Sequence, residues 1–216
     1  MIKQAIIPLA GLGTRLLPLT SVIPKELLPI NGKPNLEYIL EECLEAGINQ
    51  FIFIISKEKI SIKKYFFNDS FYKKVIKIKK DKRIIEEFRK IKKYQKMIKF
   101  VFQNKPKGTG DAVLKCRRLI KNNFFLMLLP DDLIIKKNCT KEMIKLHNKT
   151  KGSIIAAKRV KRKTVSRWGI LSIKNKNKNY FQINDVIEKP SIKKAPSDYA
   201  IIGRYILPIS IFDEIK

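Results

Sequence analysis

The segment from Ala10 to Pro29, AGLGTRLLPLTSVIPKELLP, constrains the fold of this 216-residue chain more than any other. Directly before it stands the short apolar run Ala5-Ile6-Ile7-Pro8-Leu9, which reads as a buried first strand. A loop that follows such a strand sits at the carboxyl edge of a sheet, where open α/β sheets hold ligands. Gly11 and Gly13 let the backbone pass close to a ligand, since no Cβ intervenes and positive φ costs little. Arg15 offers a planar fork of donors suited to phosphate oxygens, and Lys25, held between Pro24 and Glu26, adds a compact cation on stiffened backbone. Taken alone, Gly-Leu-Gly equally describes an ordinary strand-to-helix turn. It is not the dinucleotide fingerprint, because Leu16 stands where a third Gly is needed, and no Gly-Lys-Ser/Thr follows to make a Walker loop.

Beyond the loop, Leu36, Ile39, Leu40, Cys43 and Leu44 recur at the spacing of an amphipathic helix, and Gly47 closes it. The continuous apolar run Phe51–Ile55 is then a strand covered on both faces. Strand, helix and strand in this order imply a right-handed crossover and a parallel sheet. Residues 57–99 hold 17 Lys or Arg against 5 acidic residues. Ile84, Ile85, Phe88, Ile91 and Ile98 keep a helical spacing through it, so we expect an amphipathic helix with a lysine-rich solvated face. Phe100–Gln103 reads as a strand, Ala112, Val113, Cys116, Leu119 and Ile120 as a helix, and Phe124–Leu129 as a central strand ending in Pro130-Asp131-Asp132. Thr140 is expected to cap a helix carrying Met143, Ile144 and a partly exposed His147. Ser153–Ala157, Gly169–Ile173, Ile183–Glu188 and Tyr199–Leu207 complete the strands, and a last helix begins near Ile209. An acid pair at the end of an apolar strand is one way to hold Mg²⁺, and it is equally the start of a polar turn.

No apolar run approaches the ~18 residues of a membrane span, and the N-terminus lacks the features of a signal peptide. Cys43, Cys116 and Cys139 are odd in number and widely spaced, which suits free buried thiols in a reducing cytoplasm. The net charge is +28, from 47 basic and 19 acidic residues. A polyanion partner is one reading of that balance. However, 38 of the basic residues are Lys and 9 are Arg, they are spread along the chain, and Ile and Asn are abundant too. That is the signature of AT-rich codons, so nucleic acid is not the expected partner.

The combination AGLGTR with PKELLP resembles the N-terminal signature of the sugar-1-phosphate nucleotidyltransferases, in its uridylyltransferase form. QNKPKGTGDAV is similar to that family's uracil-reading segment, Leu129-Pro130-Asp131 to its metal-binding LPD, Trp168-Gly169-Ile170 to its YG[VI] element, Glu188-Lys189-Pro190 to its EKP and Ile202-Gly203-Arg204-Tyr205 to its VGRY run. The extra Asp132 departs from the apolar residue usual there. The resemblance implies an α/β, Rossmann-like nucleotidyltransferase fold with a mixed, mainly parallel central sheet flanked by helices. It implies one domain over 1–216, with a nucleotide-binding portion at 1–157 and a sugar-binding portion at 158–216. Arg15, Lys25, Asp131 and Lys189 would be catalytic, with Mg²⁺ on Asp131. Ala10, Gly11, Gly13, Gln103 and Gly108 would hold the nucleotide, and Gly169, Glu188, Ile202 and Gly203 the sugar. The implied reaction transfers UMP from UTP to glucose 1-phosphate in the cytoplasm. A thymidylyltransferase, whose pattern has GGxGTR, SKxLLP and LGDN, is the alternative, as is an inactive basic nucleotide- or nucleic-acid-binding remnant. The family pattern continues past Ile215-Lys216, so the chain is expected to be C-terminally shortened and any homo-oligomer weakened.

Overall fold

Ala5, Ile6 and Ile7 are fully buried, as a strand with cover on both faces requires. They form β1 (Gln4–Pro8) in the computed structural model, which describes residues 2–105, 107–177 and 180–215. Short 3₁₀ turns at Thr14–Leu16, Leu19–Ser21 and Lys25–Leu27 then carry the Gly-containing loop to a small antiparallel ribbon, β2 (Pro29–Ile30) and β3 (Lys33–Pro34). Helix α1 (Asn35–Glu45) buries Leu36, Ile39, Leu40 and Cys43, and Gly47 beyond its end takes φ +86°, a left-handed conformation that glycine adopts at little cost. β4 (Gln50–Ile55) pairs parallel to β1, completing the expected strand–helix–strand unit.

The lysine-rich stretch is three helices rather than one: α2 (Ile60–Phe67), α3 (Asp69–Lys79) and α4 (Lys82–Gln95). Lys80 takes φ +51° after α3, and the Asp81 carboxylate accepts from the Arg83 amide at 2.7 Å to start α4. Ile98 does not continue the helical stripe. It opens β5 (Ile98–Phe102), where it pairs with Phe51 of β4. α5 (Gly108–Leu114) and β6 (Phe124–Leu128) follow. α6 (Cys139–Thr150) is capped by Asn138, whose side chain accepts from the Lys141 amide at 2.8 Å, and not by Thr140, which lies buried inside the helix. His147 is buried as well, against the Phe124 ring and 2.8 Å from the Gly152 carbonyl oxygen.

The chain closes with β7 (Ile154–Arg159), β8 (Gly169–Lys176), β9 (Phe181–Glu188), β10 (Tyr199–Pro208) and α7 (Ile211–Glu214). Of the polar run 174–179, Lys174–Lys176 end β8 and Asn177 follows it, while residues 178 and 179 lie outside the described residues. The eight-stranded sheet runs β5-β4-β1-β6-β10-β8-β9, with β7 also on β10. Its first four strands are parallel, and β10 returns antiparallel to β6. Successive residues of β1, β4 and β6 alternate between two cores. Ile7, Phe53 and Leu126 face α1, α2, α4 and α6, whereas Ile6, Ile52 and Phe125 face α5 and α7. A third, smaller cluster of Val165, Ile170, Ala195 and Ala200 supports the strand-rich end of the chain. The result is the expected α/β fold with helices on both faces.

Candidate active site

Because β1, β4, β5 and β6 are parallel, the loops after them emerge from one edge of the sheet. Leu9 ties the first loop to β4 through an amide bond to the Ile54 oxygen, 2.7 Å. Gly13 takes φ +71°, with Thr20 Oγ1 donating to its carbonyl at 2.9 Å; a Cβ there would sit 3.2 Å from the Thr20 methyl and 3.6 Å from Lys25 Cδ. Gly11 is exposed, and a Cβ on it would meet no protein atom within 4 Å. Its missing side chain therefore answers no packing need of the chain and leaves room above the loop. Ala10 beside it is half-buried, and Arg15 is exposed without a partner among the described residues.

Lys25 reaches across 106 positions of sequence to form an ion pair with Asp131, directly after β6. Glu26, the next residue, turns inward and is fully buried, where Lys59 Nζ donates to both of its carboxylate oxygens at 2.7 Å. Burial pushes the Lys59 ammonium below the usual lysine range, and the charge and hydrogen bonds of Glu26 pull it back up. The two strand-end segments are joined again at α1, where the Asn35 amide donates to the Leu28 oxygen and its side chain to the Pro130 oxygen, 3.1 and 2.9 Å.

On the other side of Asp131, Asp132 accepts from the Gly203 amide at 3.2 Å. The Leu129 amide donates to the Gly203 oxygen at 2.7 Å. A Cβ on Gly203 would lie 2.5 Å from Leu129 Cβ, so only glycine admits this approach of β10 to the strand end. Next in the chain, Arg204 is fully buried, paired with Glu42 at 2.7 Å, and Glu42 in turn accepts from Thr140 Oγ1 at 2.7 Å. This network locks β10 to α1 and α6. Ile202 packs from the same strand onto the main core.

Gly169 faces Glu188 across β8 and β9, with room for a Cβ only 3.1 Å from the Glu188 carboxylate. Lys189 follows with φ +46°, its amide donating to the Trp168 oxygen at 3.0 Å and its ammonium 3.2 Å from Glu188. Both side chains stand in solvent. Lys158 lies over the Trp168 ring, 4.2 Å from its centroid, and 3.9 Å from Asp132. Gln103 is buried at the end of β5, its amide nitrogen donating to the Gly108 oxygen at 3.1 Å and to Asp111 at 2.7 Å. The amide that a pyrimidine edge could meet as donor or acceptor is thus engaged at its donor end.

Among the described residues no group of three or more His, Cys, Asp or Glu is placed to hold a metal ion. Asp131, more than half exposed, with Asp132 beside it, suits Mg²⁺ in the way that ion is usually held: one or two carboxylates, with phosphates and water filling the remaining positions. Sequence reasoning picked out Lys25, Asp131, Gln103 and Gly203 but not Lys59, Glu26 as a buried acid, or Asp111. Lys59 is one of many lysines in its stretch, and nothing in its immediate neighbours marks it. No described helix is long and apolar enough to cross a membrane.

The model of the nucleotidyl transferase family matches residues 4–216. UTP–glucose-1-phosphate uridylyltransferase 1 of Staphylococcus saprophyticus is 37% identical over 216 residues, covering all of this chain and 75% of that protein. The UTP–glucose-1-phosphate uridylyltransferase of Streptococcus pyogenes is 36% identical over 224 residues, covering all of this chain and 72% of its own. A crystal structure of UDP-glucose pyrophosphorylase complexed with UDP-glucose superposes with a TM-score of 0.84 at 36% identity, over 99% of this chain and 78% of that one. With its fold, its strand-end loops and its sequence all in agreement, the chain belongs to the nucleotidyl transferase family.

Proposed function

We propose that the chain transfers UMP from UTP to glucose 1-phosphate, releasing pyrophosphate and giving UDP-glucose. The observation that carries this reading is the meeting of Lys25 with Asp131 at the carboxyl edge of the parallel strands, beside a loop whose Gly11 has open space above it. Relatives named for this reaction, spanning the whole chain, support it over the thymidylyl alternative.

In this reading an oxygen of the glucose 1-phosphate phosphate attacks the α-phosphorus of UTP in line. The bond from that phosphorus to the bridging oxygen breaks, and pyrophosphate leaves with the electron pair. Such a transfer needs positioning and charge neutralisation rather than a covalent intermediate. Arg15 grips the triphosphate, Lys25 the phosphates near the reacting centre, and Lys189 the attacking phosphate. The backbone of Ala10, Gly11 and Gly13 lies against the nucleotide, with Gln103 and Gly108 at the base. Gly169, Glu188, Ile202 and Gly203 line the sugar, Glu188 accepting from its hydroxyls. Residues 1–157 form the nucleotide side of one domain and 158–216 the sugar side. Asp131 would hold Mg²⁺, which when bound neutralises charge shared by the two substrates. A cytoplasmic setting belongs to this reading, and three free cysteines support it.

The test is pyrophosphate release from UTP, glucose 1-phosphate and Mg²⁺, with dTTP run in parallel. Release with UTP well above that with dTTP is expected. Equal or greater release with dTTP would favour the thymidylyl alternative. No release with either, from folded protein, would overturn the reading.

A further inference from the structure

We infer that Asp111 sets which pyrimidine the site accepts, by fixing the direction of the Gln103 amide. The inference rests on the uridylyltransferase reading above. Gln103 Nε2 stands 3.1 Å from the Gly108 oxygen and 2.7 Å from Asp111 Oδ2. A carbonyl and a carboxylate only accept, so both amide hydrogens must point at them, whichever way the amide is first drawn. Oε1 is then the end left for a ligand, and it accepts no hydrogen bond from any described residue. Lys115 Nζ lies 3.8 Å from Asp111 Oδ1, which leaves Oδ2 for Gln103. Gln103 is 6% exposed, so turning its amide would break both bonds where little water replaces them.

The backbone puts this oxygen in a place where a base fits. The Gln103 backbone N–H donates to the Ile55 oxygen at 2.9 Å, and the Leu9 backbone N–H to the Ile54 oxygen at 2.7 Å. Gln103 and the start of the first loop therefore flank the end of β4 from its two neighbouring strands, about 10 Å apart at two strand spacings. A pyrimidine ring between them would meet Oε1 with its N3 edge. Uracil and thymine carry a proton on N3 and can donate to Oε1, whereas cytosine presents a lone pair there and is repelled. Without Asp111, only the longer bond to the Gly108 oxygen holds the Gln103 side-chain amide, which can then turn at a smaller cost and offer N–H to cytosine. Asp111 touches no base in this arrangement. It is a positioning residue whose effect is read in base preference.

Equilibrium binding of UTP and of CTP in the presence of Mg²⁺, to the intact chain, tests this. Wild type should prefer UTP. Asp111→Asn, whose own amide can donate to Oε1, should cut the UTP-to-CTP preference about tenfold, the worth of roughly one hydrogen bond. Asp111→Glu, which restores an acceptor, should recover most of it. Asp111→Ser gives the same readout if the Asn variant does not fold. An unchanged preference in Asp111→Asn and Asp111→Ser overturns the inference, as does an equal loss of both nucleotides, which marks a structural role. A wild type that binds UTP and CTP alike overturns the inference but leaves UMP transfer standing. A wild type that binds neither overturns the functional reading, and this inference with it.

Discussion

Lys59 donates to both carboxylate oxygens of Glu26, 2.7 Å from each, with neither side chain more than 6% exposed. The pair lies one residue from Lys25, so a buried salt bridge holds the backbone from which this half-buried lysine reaches the exposed Asp131. Breaking a buried pair leaves an uncompensated charge, and that costs more than the pair itself contributes. Lys59→Met should therefore destabilise the protein by about 3–5 kcal/mol, while Lys59→Met combined with Glu26→Leu should recover most of the loss. Lys25→Ala removes a pair open to solvent, so its stability should stay within about 1 kcal/mol of wild type. Its turnover should nevertheless fall by about 100-fold or more. Urea unfolding beside pyrophosphate release separates the two. A Lys59→Met variant as stable as wild type would show that the pair carries no such burden, and unchanged turnover in Lys25→Ala would remove Lys25 from the chemistry.

What the sequence discloses and what it hides follow from the same physics. Phe51–Ile55 and Phe124–Leu128 are legible as strands because both faces of the sheet are covered, which forces unbroken apolar runs. α1 is legible because one face only is buried. The division of 57–99 into three helices is not, because its breaks rest on Asn68, Lys80 and Asp81 in a stretch where polar residues are everywhere. Ile98 fits the helical period by coincidence, and its pairing with Phe51 decides the matter. The position of Thr140, two residues from the true cap, let it pass for a cap until the Glu42–Arg204 network claimed its hydroxyl. At the site, motif residues stand out by type and spacing. Lys59 and Asp111 act through partners 33 and 8 positions away, which no local pattern records.

Gly203 is fixed by contact rather than by its φ. A Cβ there would lie 2.5 Å from Leu129 Cβ and 3.0 Å from its Cγ, so Gly203→Ala must push β10 away from the end of β6. That shift strains the Leu129-to-Gly203 bond of 2.7 Å and the Gly203-to-Asp132 bond of 3.2 Å. A loss of about 1–3 kcal/mol is expected, with turnover falling as Asp131 moves. Leu129→Ala should not rescue it, because the clash is with the Cβ that alanine keeps. Thermal or urea unfolding checks this, and full stability in Gly203→Ala would show that the strand gives way freely.

The buried thiols predict how the protein fails in alkali. Burial pushes the Cys116 thiol from 9.0 up to about 12, and burial, with the nearby Glu42 carboxylate adding to it, raises Cys43 further still against the opposing pull of Arg204. In the unfolded chain both ionise near their ordinary values. Between pH 9 and about 12 the folded state therefore keeps protons that the unfolded state has released, and stability must fall as pH rises. Below that window the contribution is fully present. The unfolding free energy from urea titration should stay level as pH rises to about 8 and then drop, by up to about 1.4 kcal/mol per pH unit for each thiol. Tyr94, raised from 10.0 to about 12 chiefly by burial, should add to the slope above pH 10. Cys43→Ala with Cys116→Ala will lower stability at neutral pH through the lost packing, but its unfolding free energy should fall less steeply between pH 9 and 10. An equally steep fall in that variant would place the alkaline sensitivity elsewhere.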